Sequence, residues 1–127
     1  MTKQKMAIVV LSDPRSGSEE ALGRLFNALA CAHESKDRGD EVSIQFQGAG
    51  TRWPSVVEQP GHPAHGLYMA VKDKVAGVSA ACAAAFGARA EAEASHVNLI
   101  ADHAVPGTEG LASIRRLVSN GYTVLTF

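Results

Sequence analysis

The sequence predicts a single small α/β domain built on a mostly parallel sheet, and three observations carry that prediction. Met6-Ala7-Ile8-Val9-Val10-Leu11 is an unbroken apolar run rich in β-branched residues, the composition of a strand covered on both faces. Helix-like and strand-like segments then alternate as far as Tyr122-Thr123-Val124-Leu125-Thr126-Phe127, which reads as a last strand. No internal repeat or low-complexity tract interrupts them, and such alternation implies parallel strands joined by right-handed crossovers.

After the first strand, Ser16 and Glu19 have capping-box spacing, and Leu22, Leu25, Phe26 and Leu29 recur at helical intervals until Gly39 supplies a stop. This predicts one long amphipathic helix. Glu41-Val42-Ser43-Ile44-Gln45-Phe46 alternates polar with apolar, the pattern of a second strand less buried than the first or nearer an edge. From Thr51 to Gly66, Pro54, Pro60, Gly61 and Pro63 with little periodicity predict an irregular excursion, with one helical turn near Val56-Val57. Leu67, Ala70, Val71 and Lys74-Val75 resume helical spacing. Gly77 ends that helix, and Val78-Ser79-Ala80-Ala81 forms a short third strand with Cys82 at its end. Ala83 to Glu93 is a strong helix former and His96-Val97-Asn98-Leu99-Ile100-Ala101 a fourth strand. Thr108 is placed to cap a helix bearing Leu111, Ile114, Leu117 and Val118, which Gly121 closes.

With 127 residues and 46% hydrophobic content, the chain can enclose one core and is too short for two ordinary domains. Its net charge of -1, from 12 basic and 13 acidic residues spread along the chain, builds no field that would gather nucleic acid or an acidic lipid surface. The apolar run at 6–11 is shorter than a signal-peptide core and meets Asp13-Pro14, and no segment approaches the length of a membrane span. Two cysteines are too few for a disulfide scaffold, and both lie among small apolar residues. A soluble protein of the reducing cytoplasm, without nucleic-acid or membrane partners, is therefore expected.

The buried first strand leading to Ser12-Asp13, the helix ending at Gly39 before Glu41-Val42, the segment Gly77-Val78-Ser79-Ala80-Ala81-Cys82 and the closing Thr123-Val124-Leu125-Thr126-Phe127 come in an order and spacing that resembles the DsrE/DsrF-like family, which includes the YchN-like proteins. The resemblance runs over nearly the whole chain, 1–127. It implies a flavodoxin-like three-layer fold with strand order 2-1-3-4-5 and assembly into homotrimers or homohexamers. It further implies a sulfur-relay or sulfurtransferase-accessory role, in which a cysteine after the third strand carries sulfane sulfur as a persulfide and exchanges it with a donor or acceptor protein. Cys82 occupies that position. The chain departs from the family in the following helix, where Ala83-Ala84-Ala85-Phe86-Gly87 stands in place of small polar residues and an Arg-Gly pair.

Cys82 is the first candidate for chemistry, because a thiol at the carboxyl end of a parallel strand and in the first turn of a helix meets free backbone N–H groups, which favour thiolate. In a 2-1-3-4-5 sheet it would face Asp13-Pro14-Arg15 across the switch-point crevice between strands one and three, with Arg15 available to hold an anion or the thiolate. Asp102 and His103 follow the fourth strand on the same rim, where His103 could reprotonate a thiolate. Cys31 falls off the main apolar stripe of its helix and is expected to be inert. The absence of a Cys-x-x-Cys pair argues against a dithiol cycle. His62 and His65 show no zinc pattern, and Pro63 works against placing both on one helical face, so no metal is expected. Ser12 to Ser18 bears a faint likeness to a flavodoxin phosphate loop, but its serines are equally explained as helix caps, and no cofactor is expected. Trp53, beside Arg52 and Pro54, reads either as an exposed ligand-contacting aromatic or as an anchor at a subunit interface. The same crevice in a non-catalytic, oligomeric binding protein for a small anionic ligand is the alternative to sulfur relay.

Overall fold

The computed structural model describes residues 2–127. Among them five parallel strands, β1 (Lys5–Val10), β2 (Glu41–Phe46), β3 (Val75–Ser79), β4 (Leu99–Ile100) and β5 (Thr123–Thr126), form one sheet of order β4-β3-β2-β1-β5. The helices are α1 (Glu19–Asp37), α2 (Trp53–Val57), α3 (His65–Val71), α4 (Ala80–Ala85), α5 (Arg89–Ala94) and α6 (Ile114–Ser119). This is the predicted α/β class, a variant of the flavodoxin-like three-layer arrangement.

The strand order corrects the expected 2-1-3-4-5. β3 pairs with β2, not with β1, in the register Ile44↔Val75, Gln45↔Gly77, Phe46↔Val78. The free edge of β1 is taken by β5, with Ala7 opposite Val124 and Ile8 opposite Leu125. The cause lies in residues 51–66, where the helical turn expected near Val56-Val57 is α2 and turns over 58–64 lead into the next helix. Pro54 sits in the first turn of α2, where its missing N–H costs nothing, and α3 follows, with Trp53, Val57, Tyr68 and Val71 all buried. Lys36 of α1 ties this second crossover to the first, donating to the Ala70 carbonyl at 2.8 Å and pairing with Asp73 at 2.7 Å. Two crossovers packed on the same face must step in the same direction, so β2 becomes the middle strand. Its apolar Val42, Ile44 and Phe46 pack in the main core while Glu41, Ser43 and Gln45 alternate to the other face, and the edges belong to β4 and β5.

The core follows from that winding. Ile8, Val10, Ile44, Phe46 and Val78 point to one face and pack in a single cluster with Leu25 and Leu29 of α1, Val57 of α2, Tyr68 of α3, Ala83 of α4 and Ala92 of α5. On the other face Ala7 and Val9 meet Leu117 of α6. Ile8, Val9 and Val10 are entirely buried, which stabilises the fold by about 1.5–3 kcal/mol per side chain.

Several element boundaries move for identifiable reasons. Asp13-Pro14 opens a separate 3-10 turn at Pro14–Ser16, so Ser18 rather than Ser16 caps α1, accepting from the N–H groups of Glu20 and Ala21 at 3.0 and 3.4 Å. Gly77 lies inside β3 instead of ending a helix, because a Cβ there would stand 2.4 Å from the Asn98 carbonyl oxygen. Cys82 accordingly is the third residue of α4, not the end of a strand. Ser113, not Thr108, caps α6.

The helix expected over 83–93 is broken into α4 and α5 at Gly87, and the break has a common form. After α1, α4, α5 and α6 a residue adopts a left-handed conformation: Gly39, Gly87, His96 and Gly121. The next N–H then closes on a carbonyl five residues back, as in Ala88 to Ala83 at 2.8 Å and Val97 to Ala92 at 2.9 Å. His96, at φ 58°, is the one non-glycine residue at positive φ among the described residues, and β4 that follows is two residues long. His96→Gly should relieve the side-chain clash of that conformation and raise stability by about 1 kcal/mol. Urea denaturation would report this as a higher midpoint at unchanged slope; a lower midpoint would show that the imidazole stabilises its surroundings by more than the strain costs.

Candidate functional site

All five strands run the same way, so the loops that leave their carboxyl ends share one rim. In open α/β sheets the binding crevice forms on that rim where successive crossovers diverge. Here the divergence falls between β1 and β5, whereas the sequence placed it between strands one and three. A cleft of about 350 Å³ opens there, between the ends of β1 and β5 and the first turns of α1. Ser12, Asp13, Ser18, Arg24, Thr126 and Phe127 line it. Its charges are internally balanced, since Arg24 pairs with Glu20 and Asp13 pairs with Arg52.

Asp13 is the hub of the β1 loop. Its Oδ1 accepts from the Arg15 backbone N–H at 2.9 Å and from Arg52 Nη1 at 3.0 Å. The backbone N–H of Arg15, with Arg52 adding its hydrogen bond and charge, holds the carboxyl below the usual aspartate value against the opposing effect of partial burial. Arg52 then reaches on to α4, donating from Nε to the Phe86 carbonyl at 3.0 Å, with its guanidinium carbon 5.4 Å from the centroid of the Phe86 ring. One side chain thus joins the end of β1 to the end of the helix that carries Cys82.

Cys82 is a free, half-buried thiol on the same carboxyl rim, in the first turn of α4. β2 stands between β1 and β3, so Cys82 does not face Asp13 across a common crevice, and it does not line the cleft. Arg15 is exposed, on the Pro14–Ser16 turn. It borders a small depression with Arg52, Gly87, Ala88 and Glu91, and the arginine that reaches α4 is Arg52, at the Phe86 carbonyl. The sequence marked Arg52 only as a neighbour of Trp53; the one signal available was a cation opening a proline-bearing segment.

Trp53 overturns both of its predicted readings. At 2% exposure it belongs to the core of its own chain, where Nε1 donates to the Ser12 carbonyl at 2.7 Å and to Ser12 Oγ at 3.2 Å. It pins the β1 loop from beneath, and its ring meets the His62 ring edge to face at 6.1 Å between centroids. His103 is exposed, its backbone paired antiparallel with Leu111 through two hydrogen bonds of 2.9 Å. Asp102 accepts from the Ser113 N–H at 2.7 Å and so supports the start of α6. The loop after β4 reaches α4, where the Ala81 N–H donates to the Gly110 carbonyl at 2.9 Å, and β3, where the Ala112 N–H donates to Ser79 Oγ at 3.0 Å. His62 and His65 each spend Nδ1 on local backbone groups. Cys31, expected off the apolar stripe, packs in part against the main core, and burial, with Glu34 adding to it, pushes its thiol up.

Compared with family models, with curated proteins and with solved structures, the chain matches none of them. Among the described residues no helix is long and apolar enough to cross a membrane.

The lowered carboxyl of Asp13 has a defined consequence for acid stability. A folded-state value below the unfolded 3.8 means that its contribution is complete above pH 3.8 and is lost as pH falls through the folded value. Asp13→Asn should therefore lower stability at neutral pH and flatten the acid limb of the stability profile below pH 3.8. Denaturant midpoints across that range would test this; parallel profiles for the two proteins would contradict it.

Proposed function

We propose that the chain is a sulfur-relay or sulfurtransferase-accessory protein that carries sulfane sulfur as a persulfide on Cys82. The observation that carries the reading is the position of this thiol, free and half-buried in the first turn of the helix that leaves β3 on the carboxyl rim of a parallel sheet. Its neighbours Ala81, Ala84 and Ala85 are small and line a surface depression beside α4. Cys31 is a poor competitor, because it lies on the long helix α1 and its burial disfavours the thiolate on which nucleophilicity depends. The resemblance to the DsrE/DsrF-like family supports the same assignment.

The chemistry needs no cofactor. The Cys82 thiolate attacks the outer sulfur of a donor persulfide, a new S–S bond forms on Cys82, and the donor leaves as its thiolate. Handing the sulfur to an acceptor thiolate repeats the exchange in reverse, with no net oxidation. The proposal places the protein in the cytoplasm as a homotrimer or homohexamer. Apolar side chains exposed on the surface, Phe26 of α1, Met69 of α3 and Val118 of α6 among them, support assembly, a task the buried Trp53 cannot serve.

The β1–β5 cleft supports a second reading, a binding protein for a small ligand, in which Cys82 is only packed. Intact-protein mass spectrometry after incubation with a persulfide donor separates the two. Wild type and Cys31→Ser should each gain one sulfur, and Cys82→Ser should gain none while keeping its fold. No adduct on wild type, across donors and pH, would leave the cleft-binding reading in its place. Light scattering at micromolar concentration should give a multiple of the 13.3 kDa chain mass, and a monomer mass would contradict the assembly.

A further inference from the structure

We infer that Arg52 is a positioning residue for Cys82, holding α4 and setting the local charge at its thiol through a half-buried pair with Asp13. The inference rests on the reading of Cys82 as the sulfur-carrying thiol and names the group that acts on it.

The argument begins with the length of α4. Six residues are too few for a helix to hold its own shape, so its geometry depends on what ties its ends. At the start, the Ala81 N–H is held by the Gly110 carbonyl at 2.9 Å. At the end, Gly87 turns the chain left-handed and leaves the Phe86 carbonyl outside the helical ladder. Arg52 Nε satisfies that carbonyl at 3.0 Å, while Nη1 of the same fork holds Asp13 Oδ1 at 3.0 Å. Phe86 in turn donates its N–H to the Cys82 carbonyl at 2.9 Å. The chain of bonds runs from the end of β1, through one planar guanidinium, to the peptide of the reactive residue.

Two further features fit this role. The Arg52 and Asp13 side chains are 19% and 33% exposed, so the pair is partly withdrawn from water and less screened than a surface ion pair. Cys82 and Phe86 are four residues apart on one helix, which sets them on the same face about one turn from each other. Arg52 lies over the Phe86 ring on that face, and Asp13 is the anion that pairs with it. A lysine could supply the charge but not the two divergent N–H bonds.

The test uses Cys31→Ser protein, in which Cys82 is the one thiol, and reads the ratio of its alkylation rates by anionic iodoacetate and neutral iodoacetamide. That ratio reports local charge and cancels changes in exposure. One unit charge within a Debye length of a thiol in a largely aqueous surrounding changes it by up to about threefold. Arg52→Gln, which leaves Asp13 unpaired, should lower the ratio by about that factor, and Asp13→Asn, which leaves Arg52 unpaired, should raise it similarly. Arg52→Lys should keep the ratio near wild type and lose amide-exchange protection at Phe86. A purely structural pair would lower thermal stability in both variants without moving the ratio in opposite directions. Ratios unchanged in both variants would overturn the inference, and Asp13→Asn, which keeps the bond to Phe86, carries the test if Arg52→Gln does not fold. Opposite shifts without persulfide loading would retain Arg52 and reject the carrier reading. Loading without any shift would do the reverse.

Discussion

A right-handed crossover carries a chain to the next parallel strand over one face of the sheet only, and the architecture of this protein follows from applying that constraint three times in one direction. The steps from β1 to β2, β2 to β3 and β3 to β4 place α1 through α5 on a single face, where they enclose the large core around Ile8, Phe46 and Tyr68. The last step must return past three strands to the open edge of β1, and it puts α6 alone on the opposite face against Ala7 and Val9. The divergence of the two directions at β1 and β5 opens the cleft. The long return loop crosses the rim and braces β3 and α4 through Ser79 and Ala81.

The same constraint explains what could be read from the sequence. β1 and β5 were legible because apolar, β-branched runs have few alternatives, and β2 because its alternation is strict. Strand order was not legible: it depends on which face the segment 51–71 covers, and although the helical turn near Val57 and the helix through Val71 are readable, the burial of Trp53, Val57, Tyr68 and Val71 against one face is not. Gly77, expected to stop a helix, lies inside β3, and Gly87, expected within one, stops α4, for a related reason. A glycine can mark a helix stop or a close backbone approach, and only the neighbouring Asn98 carbonyl decides that Gly77 is the latter.

At the candidate site, residue type was more legible than partnership. Cys82 was found because thiols are few and its place after a strand is distinctive. Asp13 is legible because it closely follows the first strand. The link between them was missed, since Arg52 is distant in sequence from both Asp13 and Phe86 and nothing local distinguishes it from a solvated cation. Trp53 misled in the opposite sense: an aromatic among prolines and glycines looks exposed, yet its indole is fixed beneath the β1 loop by Ser12. Both residues lie in a segment with the composition of a loop that the fold packs against the carboxyl ends of its central strands.

The account depends most on Cys82 as the atom that holds transferable sulfur. Its most direct measurement is cyanolysis of protein that has been loaded with a persulfide donor and freed of excess donor, because cyanide removes only sulfane sulfur and converts it to thiocyanate. One equivalent of thiocyanate per chain from wild type and from Cys31→Ser, and none from Cys82→Ser, is the predicted result. Thiocyanate released equally from Cys82→Ser, or from none of the three proteins, would contradict it.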